Sequence, residues 1–595
     1  MKLAHGLLLG LLALLAAAPA AACDLDCTLD RELRSQGLVG AVYALVEGDN
    51  TRIGAAGLAN AVTRQPLRAD SKVHIGSVTK TMLALGVLRL ATQNRVDLDA
   101  PLADLLPQLP LDNPWHATRP VTLRHLLDHT AGLDDLRLWQ FFTLRVSPRA
   151  PLADAFAHPK DLLRIRVEPG TRFSYSNMGY TLAGMVLEEI TGERYESWLD
   201  RELLQPLHMS DSTFEFVGQA GPRADARLAW GHFDDQSLAE AQPVWLRPAA
   251  QFTTTAADMA RVAKFLLSDG RIGGAPFIDD ALLRQMGGAR TDAASAGLGV
   301  GYALGLTTRD RHGAVGRCHS GNIIGFRAML CIYPQERAAF FIAQNSDSET
   351  AQYTRFDELM IRELGVATPG PPVYSNAPSP AAWQGRYVPA PSRFETFRYL
   401  DLLFDSVEVR SDGAYLVLQR WGAEPLRLEP VGSRLYRAPD RQWASHVLMA
   451  RDQELFIGEG TRTLRKIGAP VLALNRLSLV LGLAGLTTLM FLIPWRAWRR
   501  GEPWLQPASL ALLLLLAPLP LFALQPFLAL GDLTPASAAL FIASCALSLL
   551  IAGHAIWAAR ARLPSWPVHV IASVLVLQWC ATLFAWDLMP FATWR

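Results

Sequence analysis

The sequence predicts a mixed α/β domain, a small all-β domain and a C-terminal helical membrane region. Three observations predict this division. Residues 23–368 mix helical and strand patterns, and residues 381–468 alternate short apolar runs with turn residues. The tail after about residue 470 is strongly apolar. Residues 369–380 are rich in proline and are expected to form a linker between the first two parts.

The N-terminus has the pattern of a secretory signal peptide. Lys2 gives it a positive charge, Leu7 to Ala18 form a short apolar core, and small residues follow up to Ala22. The apolar core is too short to span a bilayer comfortably. We therefore expect residues 1–22 to be a signal peptide that is cleaved before Cys23.

Export permits disulfides, so the cysteines are interpreted on that basis. Cys23 allows two alternatives, lipidation of the new N-terminus or a disulfide with Cys27. Cys318 and Cys331 flank a predicted hairpin and are the other candidate pair. Cys545 and Cys580 lie in apolar segments and are expected to be free. No cysteine spacing indicates zinc.

Several segments of the α/β domain have clear patterns. Val42–Val46 and Ala339–Ala343 are typical of strands, whereas Tyr180–Ile190 and Ala256–Leu267 are typical of helices. In residues 381–468 the strand-like runs are short, and they include Ala414–Leu418. A small barrel or sandwich is expected there.

The apolar tail predicts four transmembrane helices, because its runs are too long and too apolar for a soluble protein. Prolines at 518, 520 and 526 are expected to kink the second helix. Within a membrane domain of residues 472–590, the four predicted spans are 474–494, 507–528, 536–558 and 567–587.

Arginines predict the orientation of this bundle. Arg496, Arg499 and Arg500 follow the first span, and Arg560 and Arg562 follow the third, whereas the loop at 531–534 has no lysine or arginine. The positive-inside rule puts both arginine loops in the cytoplasm. The α/β domain is then expected on the periplasmic or extracellular side of a bacterial cytoplasmic (inner) membrane, as the signal peptide also requires.

Charge and metal-ligand patterns exclude some functions. The formal net charge of +1 gives no basic surplus for nucleic acid binding. His125 and His129 lie four residues apart on a predicted helix, but the metalloprotease glutamate is missing because Leu126 follows His125, and packing is the better interpretation. Asp134 and Asp135 are expected in a solvated loop. We expect no metal and no organic cofactor.

Ser77 and Lys80 lie three residues apart, just ahead of the apolar run Met82–Leu88. If this run is a helix, the two side chains share a face at its N-terminal end. A serine hydroxyl is a poor nucleophile until a base takes its proton, and a lysine with a lowered pKa can be that base. This Ser-x-x-Lys spacing is typical of serine acyl-transfer sites.

Two later motifs add to this site. Tyr175 and Asn177 lie in a loop ahead of a helix, where a phenol can relay a proton and an amide can orient a lysine or a substrate. His319, Ser320, Gly321 and Asn322 precede a strand-like segment. A glycine lets substrate backbone approach an edge strand, and the backbone N–H of Asn322 can pair with that of Ser77 as an oxyanion hole.

These motifs, in this order, resemble the serine β-lactamase and penicillin-binding protein superfamily, and above all its class C branch, over about residues 30–350. Val121–Leu133 is similar to a segment common in that family. The resemblance implies a central antiparallel sheet flanked by helices. It makes Ser77 the nucleophile, Lys80 its base partner and Tyr175 the general acid/base, while Asn177 positions substrate. Whether Lys80 or Tyr175 takes the Ser77 proton stays open.

His319 stands where many family members have lysine, which weakens the β-lactamase interpretation. The His-Ser-Gly form of this motif is similar to that of DD-peptidases, D-aminopeptidases and esterases in the family, and Ser320 could bind a substrate carboxylate or amide. Together with Tyr175-Ser176-Asn177 it favours a DD-carboxypeptidase-like peptidase on D-amino-acid-containing peptides. The alternatives are a β-lactamase, an esterase, a natural-product maturation peptidase that removes an acyl-D-amino-acid cap, or a non-enzymatic sensor of cell-wall fragments or β-lactams. Expected partners are the small substrate and the lipid bilayer; nothing in the sequence indicates an oligomeric state.

Overall fold

The computed structural model describes residues 24–157, 162–374, 377–501, 503–563 and 565–594. The predicted signal peptide and Cys23 lie outside these ranges. Cys27, which is the candidate partner of Cys23 in one of the two alternatives, is disulfide-bonded.

The α/β domain is built on one antiparallel sheet of eight strands in the order β4-β5-β6-β7-β8-β1-β2-β3. The first and last strands of this segment of the chain thus meet inside the sheet, where β1 pairs with β8. The strands are β1 (Gly40–Glu47), β2 (Asn50–Asn60), β3 (Gln65–Pro66), β4 (Gly301–Ala303), β5 (Leu306–Arg311), β6 (Ala314–Ile323), β7 (Phe326–Tyr333) and β8 (Ala338–Gln344).

Helices cover both faces of this sheet, which explains why β1 is buried along almost its whole length. Successive strand residues point to opposite faces. On one face Tyr43 and its i±2 neighbours pack against α1 (Leu25–Ser35) and α5 (Thr354–Leu364). On the other face Val42, Ala44 and Val46 join the main core.

Three longer helices belong to the main core: α2 (Thr79–Thr92), α3 (Asn177–Thr191) and α4 (Ala256–Leu266). Helix α2 is buried on all sides through most of its length, as its central apolar run Met82–Leu88 requires. The remaining helices are short: Leu102–Leu105, Leu123–Leu127, Leu138–Phe141, Tyr195–Leu199, Asp280–Gln285 and Asp292–Ser295.

The all-β part is a closed barrel, so the predicted barrel is correct and the sandwich alternative is not. Its closure is the pairing of β9 with β16. One helix, α6 (Arg398–Phe404), follows the first strand. The strands are β9 (Gly385–Pro389), β10 (Val407–Asp412), β11 (Tyr415–Arg420), β12 (Leu426–Pro430), β13 (Leu435–Arg437), β14 (His446–Arg451), β15 (Glu454–Gly458) and β16 (Thr463–Ile467).

The described residues of the C-terminal region form four helical spans that are long and apolar enough to cross a bilayer. The second span breaks where the prolines predict, since α8 ends at Leu516 and α9 begins at Pro518. The helices are α7 (Ala469–Arg500), α8 (Pro507–Leu516), α9 (Pro518–Leu524), α10 (Pro535–Arg560) and α11 (Trp566–Ala585).

One loop of this bundle docks on the α/β domain. We call residues 527–533 the docking loop. Its Gly531 N–H donates to the Phe142 carbonyl at 2.7 Å, and the Asp532 carboxylate accepts from Thr143 Oγ1 at 2.6 Å. The docking loop leads into the start of α10, and α7 starts directly after the barrel. The arginines at the far ends of α7 and α10 therefore lie away from both folded domains.

Candidate active site

The turn that carries Ser77 is fixed by a close backbone approach. Gly76–Val78 form one 3₁₀ turn, and α2 begins at Thr79. Gly76 has φ of 50°, and a Cβ there would lie 2.6 Å from the Asn322 backbone. Only glycine fits that position without displacing β6. Ser77 is thus held against the end of β6, with Lys80 in the first turn of α2.

The Ser77 hydroxyl has two polar neighbours. Lys80 Nζ lies 2.9 Å from Ser77 Oγ, and Tyr175 Oη lies 2.9 Å from the same oxygen. Sequence spacing predicts the first contact, whereas the second joins residues 98 positions apart. The structure therefore brings the three residues to one point.

Lys80 is completely buried, with 0% of its surface exposed. Its Nζ also lies 2.7 Å from Asn177 Oδ1 and 2.9 Å from the Ala249 carbonyl oxygen. Burial lowers the pKa of Lys80 well below the ordinary lysine value, and the Asp135 carboxylate only partly offsets this. An amine with such a pKa can be neutral and accept a proton near neutral pH.

Tyr175 is held at the entry to α3. The next residue, Ser176, caps that helix by accepting from the Gly179 N–H at 2.9 Å. Burial raises the pKa of the Tyr175 phenol above its ordinary value, and the Asp135 charge adds to this effect. The phenol therefore keeps its proton and can donate it.

Asn177 is oriented by Asp135, for which the expectation from the sequence is wrong. Asp135 has 0% of its surface exposed, and its Oδ1 accepts from Asn177 Nδ2 at 2.5 Å and from the Asn177 backbone N–H at 3.0 Å. Asp134 is buried as well. The expected solvated loop is instead a buried support, because amide N–H groups and arginines lie against its carboxylates.

The end of β6 presents free backbone groups toward Ser77. Cys318 and Cys331 form a disulfide across β6 and β7, with Cα atoms 4.1 Å apart, a spacing typical of a non-hydrogen-bonded pair. Pairs of this kind recur at every second residue, so Ser320 and Asn322 also face β7 in non-hydrogen-bonded pairs. Their N–H groups therefore point away from β7. Strand β5 pairs with β6 only as far as Cys318. The Asn322 N–H thus faces the turn of Ser77.

Gly321 makes this approach possible. A Cβ at Gly321 would lie 1.8 Å from the Ile75 carbonyl oxygen and 3.2 Å from the Ser77 nitrogen. Any side chain here would push β6 away from the Ser77 turn. The glycine therefore sets the distance between the two backbone N–H groups expected to form the oxyanion hole.

His319 and Ser320 lie side by side but in different surroundings. His319 is buried, with Nδ1 donating to the Ser320 carbonyl at 2.7 Å and Nε2 accepting from Tyr302 Oη at 3.1 Å. Burial lowers the pKa of His319 to about 3, so the ring is neutral. Ser320 is exposed and lines the cleft beside Ser77.

The cleft above Ser77 lies between the α/β domain and the barrel and has a volume of about 1320 Å³. That is larger than a typical small-molecule pocket and gives room for a peptide. Barrel residues contribute one wall, including Arg393 on the loop between β9 and α6.

Arg393 contacts the site directly and has no motif in the sequence. Its Nε donates to Asp135 Oδ2 at 2.7 Å, and its guanidinium carbon lies 4.7 Å from the centre of the Tyr175 ring. In the sequence it is a single arginine in a loop, 258 positions after Asp135. Arg393 is identified as part of the site only because the barrel packs against the α/β domain in the structure.

His125 and His129 have structural contacts. The N–H of Thr122 donates to His125 Nδ1 at 3.2 Å in a capping box, and the helix ends at Leu127. His129 therefore lies beyond the helix, with φ of 55°, and its Nδ1 accepts from the Ser176 N–H at 3.1 Å. The expectation that both histidines share a helix is wrong, since Asp128 already ends it.

Comparison with known proteins agrees with this geometry. Residues 25–360 match the sequence profile of a family described as Beta-lactamase, more than half of the chain. The chain is 34% identical over 202 residues to esterase EstB of Burkholderia gladioli, covering 32% of this chain and 51% of the esterase. It is 27% identical over 343 residues to penicillin-binding protein 4 of Amycolatopsis lactamdurans, covering 55% and 86%.

Two further similarities have lower sequence identity. Protein flp of Staphylococcus aureus (strain COL) is 23% identical over 338 residues, covering 55% of this chain and 63% of flp. The chain thus spans about half the length of the esterase and less than two thirds of the length of flp. The crystal structure of SurE superposes with a TM-score of 0.50 at 23% identity, covering 74% of this chain and 98% of SurE. This last similarity concerns the fold.

Proposed function

The chain belongs to the beta-lactamase family of serine hydrolases, and on that premise we propose that it is a membrane-anchored peptidase that cleaves D-amino-acid-containing peptides through an acyl-Ser77 intermediate. The observation that carries this proposal is the double contact at Ser77 Oγ, with Lys80 Nζ and Tyr175 Oη both at 2.9 Å. One neighbour can take a proton while the other supplies one.

The contacts of Lys80 favour it as the acylation base. A neutral amine has two N–H donors and one lone pair. The Asn177 amide oxygen and the Ala249 carbonyl can only accept, so they use the two donors. The lone pair is then directed at Ser77 Oγ. The lowered pKa of Lys80 supports the same assignment.

The reaction follows from these positions. Ser77 Oγ attacks the scissile carbonyl carbon while its proton moves to Lys80 Nζ. The N–H groups of Ser77 and Asn322 hold the carbonyl oxygen as it becomes an oxyanion. Tyr175 donates its phenolic proton to the leaving nitrogen and regains one from the Lys80 ammonium. Water then attacks the acyl-enzyme and releases the acid.

The open end of β6 supports a peptide as substrate. The Ser320 N–H and the Asn322 carbonyl point away from β7 and can pair with an extended peptide, as in strand addition. His319 is neutral and held by Tyr302, so no cation lies where a lysine would stand. This supports a peptidase over a β-lactamase.

An esterase is the second candidate, and the 34% identity to esterase EstB favours it. The two activities differ in the leaving group. An amide nitrogen must be protonated as it leaves, whereas an activated ester needs no such help. A strong dependence on Tyr175 therefore indicates amide cleavage.

Both folded domains contact one end of the helical bundle, and this supports an extracytoplasmic site. Arg398 of α6 pairs with Asp587 at 2.9 Å, and the docking loop contacts Thr143. The arginine-rich ends of α7 and α10 lie at the opposite end, which the positive-inside rule assigns to the cytoplasm. We propose that the helices anchor the hydrolase outside a bacterial cytoplasmic membrane.

The test is a substrate panel for the full-length protein in detergent: N-acylated peptides ending in D-alanyl-D-alanine, their L-alanine counterparts, a chromogenic β-lactam and a p-nitrophenyl ester. We expect release of D-alanine, with Ser77→Ala inactive and Arg68→Gln, a substitution at an exposed site, active. Turnover of the ester or the β-lactam alone would overturn the proposed substrate class. Acylation without release would indicate a sensor.

A further inference from the structure

One loop of the barrel is hydrogen-bonded to the α/β domain, here also called the hydrolase domain, beside Ser77. We call residues 390–397 the barrel loop. Arg166 of the hydrolase domain donates to the Ser392 carbonyl at 2.9 Å and to the Glu395 carboxylate at 3.2 Å. The Glu395 N–H donates to Asp134 Oδ1 at 3.0 Å. These contacts hold the residues on both sides of Arg393, so its position does not depend on substrate.

Within the described chain, the Nε atom of the Arg393 guanidinium is hydrogen-bonded, whereas its two Nη atoms are not. Its Nε donates to Asp135, and its guanidinium lies over the rings of Tyr175 and Phe394. Its side chain is nevertheless 58% exposed and lines the cleft. Among the described residues no hydrogen bond uses Nη1 or Nη2. Both are available to a ligand in the cleft.

The position of Arg393 relative to the reaction indicates what that ligand is. Tyr175 touches Ser77 with its hydroxyl and Arg393 with its ring face. Because Tyr175 is the proposed donor to the leaving nitrogen, Arg393 lies on the leaving-group side of the scissile bond. One tyrosine ring separates it from Ser77, a gap that the single residue after the scissile bond can span.

Most other arginines that line the cleft are paired with acids, and in the described part of the chain none of them lies over Tyr175. They are Arg309 with Asp357, Arg327 with Asp347, Arg420 with Glu459, Arg441 with Asp440, and Arg462 with Asp405. One more, Arg311, donates to the Asp310 backbone carbonyl at 2.8 Å. Asp135, the acid partner of Arg393, is already shared with two N–H groups of Asn177. A guanidinium that keeps free donors is suited to a second carboxylate, which it can bind with two parallel hydrogen bonds.

We propose that Arg393, supplied by the barrel, binds the C-terminal carboxylate of the leaving residue and makes the enzyme select peptides with a free C-terminus. This inference rests on the proposed peptidase function. It gives the barrel a role in substrate selection. It also distinguishes a carboxypeptidase from a maturation peptidase, whose scissile bond is internal and has no adjacent carboxylate.

The test uses the full-length protein in detergent and two peptides that differ at one group: an N-acylated peptide ending in D-alanyl-D-alanine and the same peptide with a C-terminal carboxamide. For Arg393→Gln we expect KM of the carboxylate peptide to rise about 10- to 100-fold, the usual cost of losing a charge-assisted hydrogen bond. KM of the amide peptide should stay within about threefold. Arg393→Lys keeps the charge but not the two parallel N–H donors of the guanidinium, so its KM for the carboxylate peptide should be intermediate.

Arg410→Gln is the matched control, since Arg410 is an exposed arginine elsewhere on the barrel. Equal losses for both peptides would overturn the inference, because they would mean that Arg393 only holds Asp135 in place. A wild-type preference for the amide peptide would overturn it as well.

A second readout does not require turnover. Labelling of Ser77 by a fluorophosphonate should be blocked by the carboxylate peptide at about tenfold lower concentration than by the amide peptide, and Arg393→Gln should remove this difference. Equal protection by the two peptides in the wild-type protein would refute the carboxylate site. Failure of the proposed function has a different result, namely no Ser77-dependent cleavage of either peptide.

Discussion

Arg393 of the barrel donates from Nε to the buried Asp135 of the hydrolase domain at 2.7 Å, and this contact joins residues 258 positions apart. Asp135 in turn holds Asn177, and Asn177 holds Lys80. The barrel is thus connected to the reacting serine through three side chains. Loss of the barrel is therefore expected to affect the chemistry as well as the shape of the cleft.

Lys80→Arg tests the acylation base. Arginine keeps a positive charge at all working pH values and cannot accept the Ser77 proton, so kcat/KM should fall by about 10²- to 10⁴-fold. Steady-state kinetics on an ester and a peptide measure this. Wild-type rates in the Lys80→Arg variant would exclude Lys80 as the base.

The pH profile gives an independent check on Lys80. The neutral amine is the competent form, so kcat/KM should rise with pH through the Lys80 pKa, with a midpoint well below the ordinary 10.5. His319→Gln should leave this limb in place, because the pKa of His319 is lowered to about 3. If the rise of kcat/KM with pH disappears in His319→Gln, the titrating group is the histidine and not Lys80.

Tyr175→Phe separates the two proposed activities. Removal of the phenolic proton should reduce peptide cleavage by about 10²-fold or more, and p-nitrophenyl ester cleavage by only about tenfold, since nitrophenolate leaves unprotonated. Tyr333→Phe, on the other face of the sheet, is the control. Equal losses on both substrates would argue against Tyr175 as the donor to the leaving group.

Gly321→Ala tests the close approach of β6 to the Ser77 turn. The added methyl would lie 1.8 Å from the Ile75 carbonyl oxygen, so we expect a loss of about 1–3 kcal/mol of stability together with most of the activity. Gly468→Ala should be tolerated, because the atom nearest to its added methyl, in Pro470, would be 3.7 Å away. Thermal unfolding and Ser77 labelling measure the two effects.

Asp532→Ala tests the docking loop. Asp532 is buried and accepts from Thr143 Oγ1 at 2.6 Å and from the Leu144 N–H at 3.1 Å. Its removal should speed hydrogen exchange at Leu144 by about tenfold, as expected for a lost hydrogen bond of roughly 1 kcal/mol or more. Asp587→Ala, at a largely exposed aspartate, should leave exchange there unchanged. Unaltered exchange in Asp532→Ala would mean that the loop does not dock.

Local spacing was enough to predict part of this site. Ser77 and Lys80 lie within one helical turn, and Tyr175 and Asn177 begin one helix, so their motifs carry most of their geometry. The antiparallel sheet flanked by helices follows from the family resemblance and is confirmed. The four helices long and apolar enough to cross a bilayer were predictable, because length and hydropathy alone define such spans.

The rest depends on contacts that no local pattern records. Asp135 was expected in solvent because charged pairs are usually exposed, and only its partners, Asn177 and Arg393, explain its burial. Arg393 is one of many arginines in the sequence. Its place in the site follows from the docking of the barrel, which composition and periodicity do not encode.

The most direct test of the central claim is an intact-mass measurement on the full-length protein mixed rapidly with an N-acylated peptide ending in D-alanyl-D-alanine. We predict an acyl adduct on Ser77 that adds the mass of the peptide minus that of free D-alanine, with D-alanine released at the same rate. The adduct should be absent in Ser77→Ala. Release of D-alanine by the Ser77→Ala protein, or an adduct on any other residue, would contradict the account.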